Sequence, residues 1–205
     1  MSTMIDHQAA PLSVCVYCGS RVGVRPDYLA AAQALGQQIG ARGWRLVYGG
    51  GNVGLMGAVA DAALQAGAEV FGVIPDSLLR REVGHQGLSQ LKVVQTMHER
   101  KQLMAEQADA FIALPGGIGT LEELYEVWTW QHLGYHDKPV ALLDVAGYYQ
   151  QLQAFMRHAE AEGFVSADQQ AALWVEGDIS RLLDRIAAQV QQQRGAPPAH
   201  DYHRI

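Results

Sequence analysis

Leu114-Pro115-Gly116-Gly117-Ile118-Gly119-Thr120-Leu121-Glu122-Glu123 brings a glycine-rich turn, a hydroxyl and two carboxylates together. An apolar run, Ala110 to Leu114, leads into it, and Leu121, Leu124, Val127 and Trp128 follow at helical spacing. The pattern predicts a buried strand, a tight turn and a helix whose first turn carries Glu122 and Glu123. Backbone N–H groups at such a helix start are unpaired and carry the positive end of the peptide dipoles, so they can hold a phosphate. Glycine gives the anion room and permits positive φ, and the Thr120 hydroxyl adds a donor. Two carboxylates beside an anion repel it, so at least one faces another part of the ligand. A carboxylate set against an anomeric carbon stabilises an oxocarbenium-like transition state or prepares the attacking water, as in glycoside cleavage. Adjacent helix positions diverge, so Glu122 and Glu123 do not enter one pocket together. One suits the helix dipole and the other is left for chemistry. Spacing does not say which.

A second glycine turn, Gly49-Gly50-Gly51-Asn52, has the same place after a strand and before a helix. Two turns so placed favour a phosphate or sugar-phosphate site over turns that merely need glycine. The Gly116 turn is not a dinucleotide fingerprint, and the first strand runs into Cys18-Gly19-Ser20-Arg21 rather than GxGxxG. No Gly-Lys-Ser or Gly-Lys-Thr follows the glycines to make a P-loop. Arg100 and Lys101 have two even readings. They lie on a solvated helix face interleaved with Glu99 and Glu106, or Arg100 stands at the crevice mouth, neutralising the ligand or pairing with a carboxylate such as Glu123. His98 and His132 have no acidic partner at a telling spacing and read as satisfied or exposed. If a purine is the leaving group, its nitrogen needs a proton, for which Asp76, Glu82, His85 or water is within reach. Tyr125, Trp128, Trp130 and His132 read as core or dimer packing. Cys15 and Cys18 form a CxxC pair, but residues three apart in a strand face opposite sides, and no further cysteines complete a zinc site.

These groups need a frame. Strands are predicted at Leu12–Tyr17, Trp44–Tyr48, Glu69–Ile74, Leu91–Val94, Ala110–Leu114, Pro139–Leu143 and Ala171–Val175. Helices are predicted from Pro26 to about Arg42, from Leu55 to Gly67, and over His98–Ala108, Tyr148–Glu162 and Ile179–Gln193. Pro75–Gln90 is the longest stretch without periodicity, read as a short helix plus a loop over the site. Strands alternating with helices imply an α/β fold with a parallel sheet covered on both faces. Right-handed crossovers put the strand-end loops on one edge, so Gly19-Ser20, Gly49–Asn52 and Gly116–Thr120 converge where strand order reverses. Residues 12–194 form one domain, between a flexible leader (1–11) and a flexible tail (195–205).

The chain has 205 residues, 49% hydrophobic and 18% charged, an apolar surplus that leaves surface for a subunit interface. A formal charge of −6 without a basic cluster argues against nucleic acid as a partner. No apolar run approaches the roughly 20 residues of a membrane helix, and a cytoplasmic location is expected. No cluster has metal-like spacing, and no cofactor is expected.

Taken together, Tyr48–Leu64 (YGGGNVGLMGAVADAAL), Gly72–Leu78 (GVIPDSL), Met97–Met104 (MHERKQLM) and Leu114–Gly134 (LPGGIGTLEELYEVWTWQHLG) resemble the LOG family, the cytokinin riboside 5'-monophosphate phosphoribohydrolases. Members have often been labelled lysine decarboxylases. The resemblance implies a Rossmann-like three-layer fold, a homodimer or larger homo-oligomer, and cleavage of the N-glycosidic bond of adenosine 5'-monophosphate derivatives to a free base and ribose 5-phosphate. It carries phosphate binding onto Gly116, Gly117, Gly119 and Thr120, and the catalytic carboxylate onto Glu123, paired with Arg100. Lys101 accompanies the pair, Met97 and Ser20 are implied as ribose or base contacts, and Gly49, Gly50 and Gly51 as the opposite wall. Arg21 stands where members commonly have a second serine. Base preference is assigned to Leu78–Leu91. A decarboxylase using pyridoxal phosphate needs a Schiff-base lysine and a partner for the ring nitrogen; only Lys92, Lys101 and Lys138 are available, with nothing else for that cofactor. The alternative to an enzyme is a non-catalytic module that binds a nucleotide or another phosphorylated ligand in the same crevice.

Overall fold

The structure, a computed structural model, describes residues 10–82 and 84–195, excluding the side chains of 80–82. Within them the chain alternates strand and helix: β1 (Ser13–Tyr17), α1 (Pro26–Ala41), β2 (Arg45–Tyr48), α2 (Gly54–Gln65), β3 (Val70–Pro75), α3 (Asp76–Glu82), β4 (Gln90–Val94), α4 (Met97–Glu106), β5 (Ala110–Ala113) and α5 (Ile118–His132). β6 (Val140–Leu143), a 3₁₀ turn (Val145–Gly147), α6 (Gln150–Ala161), α7 (Ala167–Ala172), β7 (Leu173–Glu176) and α8 (Ile179–Arg194) follow. All strands pair in parallel, in the order β4-β3-β2-β1-β5-β6-β7.

Parallel strands with helical crossovers are buried on both faces, which is why β1, β3, β5 and β6 read as unbroken apolar runs. Alternation divides β1 between two cores. Val14, Val16 and, just beyond it, Cys18 pack with Leu35 of α1, Val59 of α2 and Leu183 of α8. Cys15 and Tyr17 pack with Met104 of α4, Leu124 of α5 and Met156 of α6. The two cysteines are therefore free, buried and on opposite faces. Strand order reverses between β1 and β5, and a crevice opens there beyond the carboxyl ends.

Several boundaries differ from expectation. α5 starts at Ile118, so its first turn holds no carboxylate, and Glu122 and Glu123 fall in the second. Gly116, Gly117 and Gly119 all lack positive φ, so that turn does not use glycine's left-handed freedom. Ala171 and Ala172 end a helix: Ser166 and Gln169 form a capping box that starts α7, and β7 begins only at Leu173. The helix expected from Tyr148 starts at Gln150, behind the 3₁₀ turn, where Ala146 has φ 53°. Apart from residues 10, 11 and 195, the expected leader and tail lie outside the described residues.

Candidate functional site

The crevice holds a cavity of about 700 Å³. Its walls come from the turn after β1 (Cys18 to Gly23), the turn after β5 with the start of α5 (Pro115 to Thr120, and Glu123), and Leu55 and Met56 of α2. Tyr28, Arg100 and Tyr148 complete it. Backbone bonds tie the walls together. Gly19 N–H donates to Pro115 O at 3.1 Å, and Leu55 N–H donates to Gly19 O at 3.0 Å.

At the β5–α5 turn Gly117 is the N-cap, in extended conformation and without a side-chain cap. The amide groups opening α5 therefore have no helical partner and are available to an anion. A Cβ on Gly117 or Gly119 would meet nothing within 4 Å, so these glycines leave space. Gly116 differs: a Cβ there would lie 2.1 Å from Thr120 Oγ1. Two consecutive tyrosines brace the turn. Tyr149 Oη donates to Leu114 O at 2.6 Å, and Tyr148 Oη donates to Gly116 O at 2.5 Å.

Thr120 and Glu123 are three positions apart, close to one helical turn, so both present to the same side and both line the cavity. Glu122 turns away and, with Glu126, accepts from Lys101 Nζ at 2.5 and 2.9 Å. Burial would lower the Lys101 pKa, but the hydrogen bonds and negative charges of the two glutamates together raise it. Helical phase thus separates the two carboxylates.

Arg100 is 7% exposed and held from several sides. Its Nε donates to Val73 O and its Nη2 to Gly49 O, both at 3.2 Å, and Nη1 lies 3.9 Å from Met97 Sδ. Nη1 also faces Glu123 Oε1 at 3.5 Å, an ion pair with both side chains about nine-tenths buried. Burial pushes the Glu123 carboxyl up; Arg100 pulls it down, Glu122 and Glu126 raise it, and Lys101 lowers it. Burial wins, and the group titrates at about 7. A buried carboxyl poised near neutrality beside a fixed guanidinium can exchange a proton with a ligand or water.

Ser20, Arg100, Gly116, Gly117, Gly119, Thr120 and Glu123 meet at the cavity. Gly49, Gly50 and Gly51, expected as the opposite wall, are not among its lining residues. Gly49 sits against Arg100, and a Cβ on it would come within 2.0 Å of Arg100 Nη2. Gly49 to Gly54 does have the letter spacing GxGxxG, but after β2 rather than β1. Met97 and Lys101 likewise stand outside the lining, the first against Arg100 and the second in its glutamate pair. Among the described residues none from 75 to 90 lines the cavity, because β3 and β4 lie on the far side of β2 from the reversal point. The described part of the segment expected to cover the site and set base preference, Leu78–Leu91, thus stands away from the cavity, while residue 83 and the side chains of 80–82 lie outside the described residues. His98 and His132 are exposed and outside it, and Asp76 and His85 also stand away; the Glu82 side chain lies outside the described residues. Lys92, Lys101 and Lys138 are absent from the wall, so a pyridoxal Schiff base has no lysine there. Among the described residues no group of three or more His, Cys, Asp or Glu side chains could hold a metal ion.

Tyr28 and Tyr148 were not foreseen. Their rings meet edge to face at 5.6 Å at the cavity rim. The available signal was topological, since Gly147-Tyr148-Tyr149 follows the strand next to β5.

Comparison with known proteins places the chain among relatives. A family described as possible lysine decarboxylase matches residues 56–186. A rice protein (Oryza sativa subsp. japonica) named as a probable cytokinin riboside 5'-monophosphate phosphoribohydrolase is 54% identical over 155 residues, 76% of this chain and 70% of its own. The Rhodococcoides fascians cytokinin riboside 5'-monophosphate phosphoribohydrolase is 48% identical over 188 residues, 90% of this chain and 95% of its own. Among solved structures, the molybdenum cofactor binding protein of Rippkaea orientalis superposes with a TM-score of 0.68 at 24% identity, over 88% of this chain and 98% of its own. The molybdenum cofactor carrier protein of Chlamydomonas reinhardtii gives 0.67 at 21%, over 89% and 99%. At such identity these two speak for the fold alone.

Proposed function

We infer the function from one premise: this chain belongs to the family of cytokinin riboside 5'-monophosphate phosphoribohydrolases. The protein is an N-glycosidase that hydrolyses N6-substituted adenosine 5'-monophosphates to the free base and ribose 5-phosphate. Adenosine monophosphate itself is a further substrate in this reading. The observation that carries it is Glu123, a buried carboxylate against Arg100, in the same wall as the amide-lined turn that opens α5.

The 5'-phosphate rests on the N–H groups of Gly117 to Thr120 and on the Thr120 hydroxyl, with the ribose reaching one turn deeper to Glu123. As the bond from C1' to the base nitrogen breaks, its electron pair leaves with the base, and Glu123 stabilises the positive charge at C1'. A water oxygen bonds to C1', and its proton passes to Glu123. The departing nitrogen takes its proton from solvent, because Glu123 is the one carboxylate among the described lining residues and no imidazole joins it. Arg100 keeps enough of Glu123 ionised near neutrality for this work.

The test is chromatographic release of base over a panel of nucleotides and nucleosides. Prenylated and plain adenosine 5'-monophosphates should release base, and the matching nucleosides should lose turnover as well as affinity. Glu123→Gln should cost on the order of 10²–10³ in kcat. Tight nucleotide binding with no base released by parent or variant would instead indicate a carrier or sensor. We also place the protein in the cytoplasm as a homodimer, on the strength of its two free cysteines and of exposed Val24, Phe155 and Phe164; light scattering in solution tests the dimer.

A further inference from the structure

His85 is a buried titratable side chain that the hydrolytic site leaves unused. It lies between α3 and β4, 7% exposed and outside the cavity wall. Both ring nitrogens are engaged. Nδ1 accepts from Gly87 N–H at 3.1 Å, which puts the ring proton of the neutral imidazole on Nε2, 2.8 Å from Asp61 Oδ1 on α2. The same segment is joined by its backbone to the glycine turn after β2. His85 N–H donates to Gly50 O at 3.1 Å, and Gly84 bridges Gly51 in antiparallel fashion. One residue earlier, Gly49 O accepts from Arg100 Nη2. The turn is therefore gripped from both sides, by Arg100 within and by residues 84–87 without. Glycine has no side chain to hold such a turn in place, and Gly50 adopts φ 75°, so its conformation depends on these outside partners.

We propose that His85 is a positioning residue: by anchoring residues 84–87 to Asp61, it holds the Gly49–Gly51 turn in the conformation whose first carbonyl fixes Arg100 against Glu123. The inference rests on the reading of Arg100 and Glu123 as the reacting pair. Small displacements of such a pair are costly in rate, whereas the phosphate turn stands on β5 and does not depend on this clamp.

The experiment compares the full-length parent with His85→Ala, Asp61→Leu and Asp61→Asn, measuring kcat, KM, the pH midpoint of kcat and affinity for ribose 5-phosphate. His85→Ala should lower kcat about tenfold and leave KM and ribose 5-phosphate affinity within about twofold of the parent. Its pH midpoint should move upward, because a looser Arg100 no longer holds the Glu123 carboxyl down. Asp61→Leu should follow in the same direction, and Asp61→Asn, whose amide oxygen still accepts, should retain most of the rate. A role in packing alone would lower the melting temperature and leave kcat and its pH midpoint where they were, and that result would overturn the proposal. Asp61 is half exposed, so its variants decide the matter even if His85→Ala does not fold. If the parent is active, Glu123→Gln is inactive and His85→Ala matches the parent, the clamp alone is wrong. If parent and Glu123→Gln release base alike, the hydrolytic reading falls and this inference falls with it.

Discussion

Replacing Glu123 by glutamine should change the way stability responds to pH, and the size of the change follows from the site. The carboxyl titrates at 4.5 when unperturbed and at about 7 in the folded protein, burial being the largest cause. Between those values the folded state holds a proton that the unfolded state has released, so stability contributed by this group falls as pH rises. The full difference corresponds to about 3 kcal/mol, of which about 2.5 is lost between roughly pH 5 and pH 8. Glutamine does not titrate. It also deprives Arg100 of its counter-charge, but arginine stays protonated throughout this range, so that cost is the same at both ends. Relative to the parent, Glu123→Gln should therefore gain about 2.5 kcal/mol on going from pH 5 to pH 8, whatever its absolute stability. For a chain of this length that is about 5–10 °C in Tm. Urea unfolding of both proteins at several pH values measures it. A difference between variant and parent that stays constant across the range would mean that Glu123 titrates like an exposed carboxyl, and the proton-exchanging role would have to be abandoned.

Three further outcomes are expected. kcat/KM of the parent should rise through a midpoint near pH 7 as Glu123 ionises and then level off; a rate falling through that midpoint would make the protonated acid the working form. Gly49→Ala places a methyl within 2.0 Å of Arg100 Nη2 and should cost on the order of 10² in kcat while circular dichroism shows the fold retained; full activity would separate Arg100 from the chemistry. Tyr148→Phe removes the hydrogen bond to Gly116 O and should weaken ribose 5-phosphate binding about two- to tenfold by calorimetry, with no shift in the pH midpoint; unchanged affinity would show that the turn stands without it.

The frame was legible because parallel strands buried on both faces write themselves as short apolar runs, and Val14–Tyr17, Val70–Ile74 and Ala110–Ala113 are such runs. Turn residues punctuate them, so the strand-end turns were legible, but three were expected to converge and only those after β1 and β5 line the cavity; which strands flank the reversal depends on the strand order. α7 escaped because it is only six residues long and its evidence is a capping box rather than a periodic face. The starting point of α5 escaped for another reason. Glycine at Gly117 and Gly119 suggested a loop, yet Gly119 already belongs to the first helical turn, where its missing side chain leaves space. The Gly49–Gly51 turn looked like a second phosphate cradle because sequence shows that glycine is needed and not what stands opposite it. Here the neighbour is a guanidinium, reached across 51 residues of chain.

The difficulty of two carboxylates beside a bound phosphate dissolves once charge is followed through space. Glu122 is neutralised by a lysine from α4 that it shares with Glu126, on the side of α5 away from the cavity. Glu123 points inward, but its charge is suppressed by burial and balanced by an arginine whose other donors are committed to backbone carbonyls. An anion at the start of α5 therefore meets unpaired amides first, and a carboxyl that is only about half ionised at neutral pH one turn further in. Adjacent Arg100 and Lys101 on α4 serve adjacent Glu123 and Glu122 on α5, the arginine holding Glu123 and the lysine holding Glu122 together with Glu126. Exchange the order within either pair and the cavity would receive the lysine-bound glutamate, or lose the guanidinium that Val73 and Gly49 orient. The chemistry of the site thus depends on the phase of two neighbouring helices, set by packing against β3 and β5, as much as on the residue types themselves.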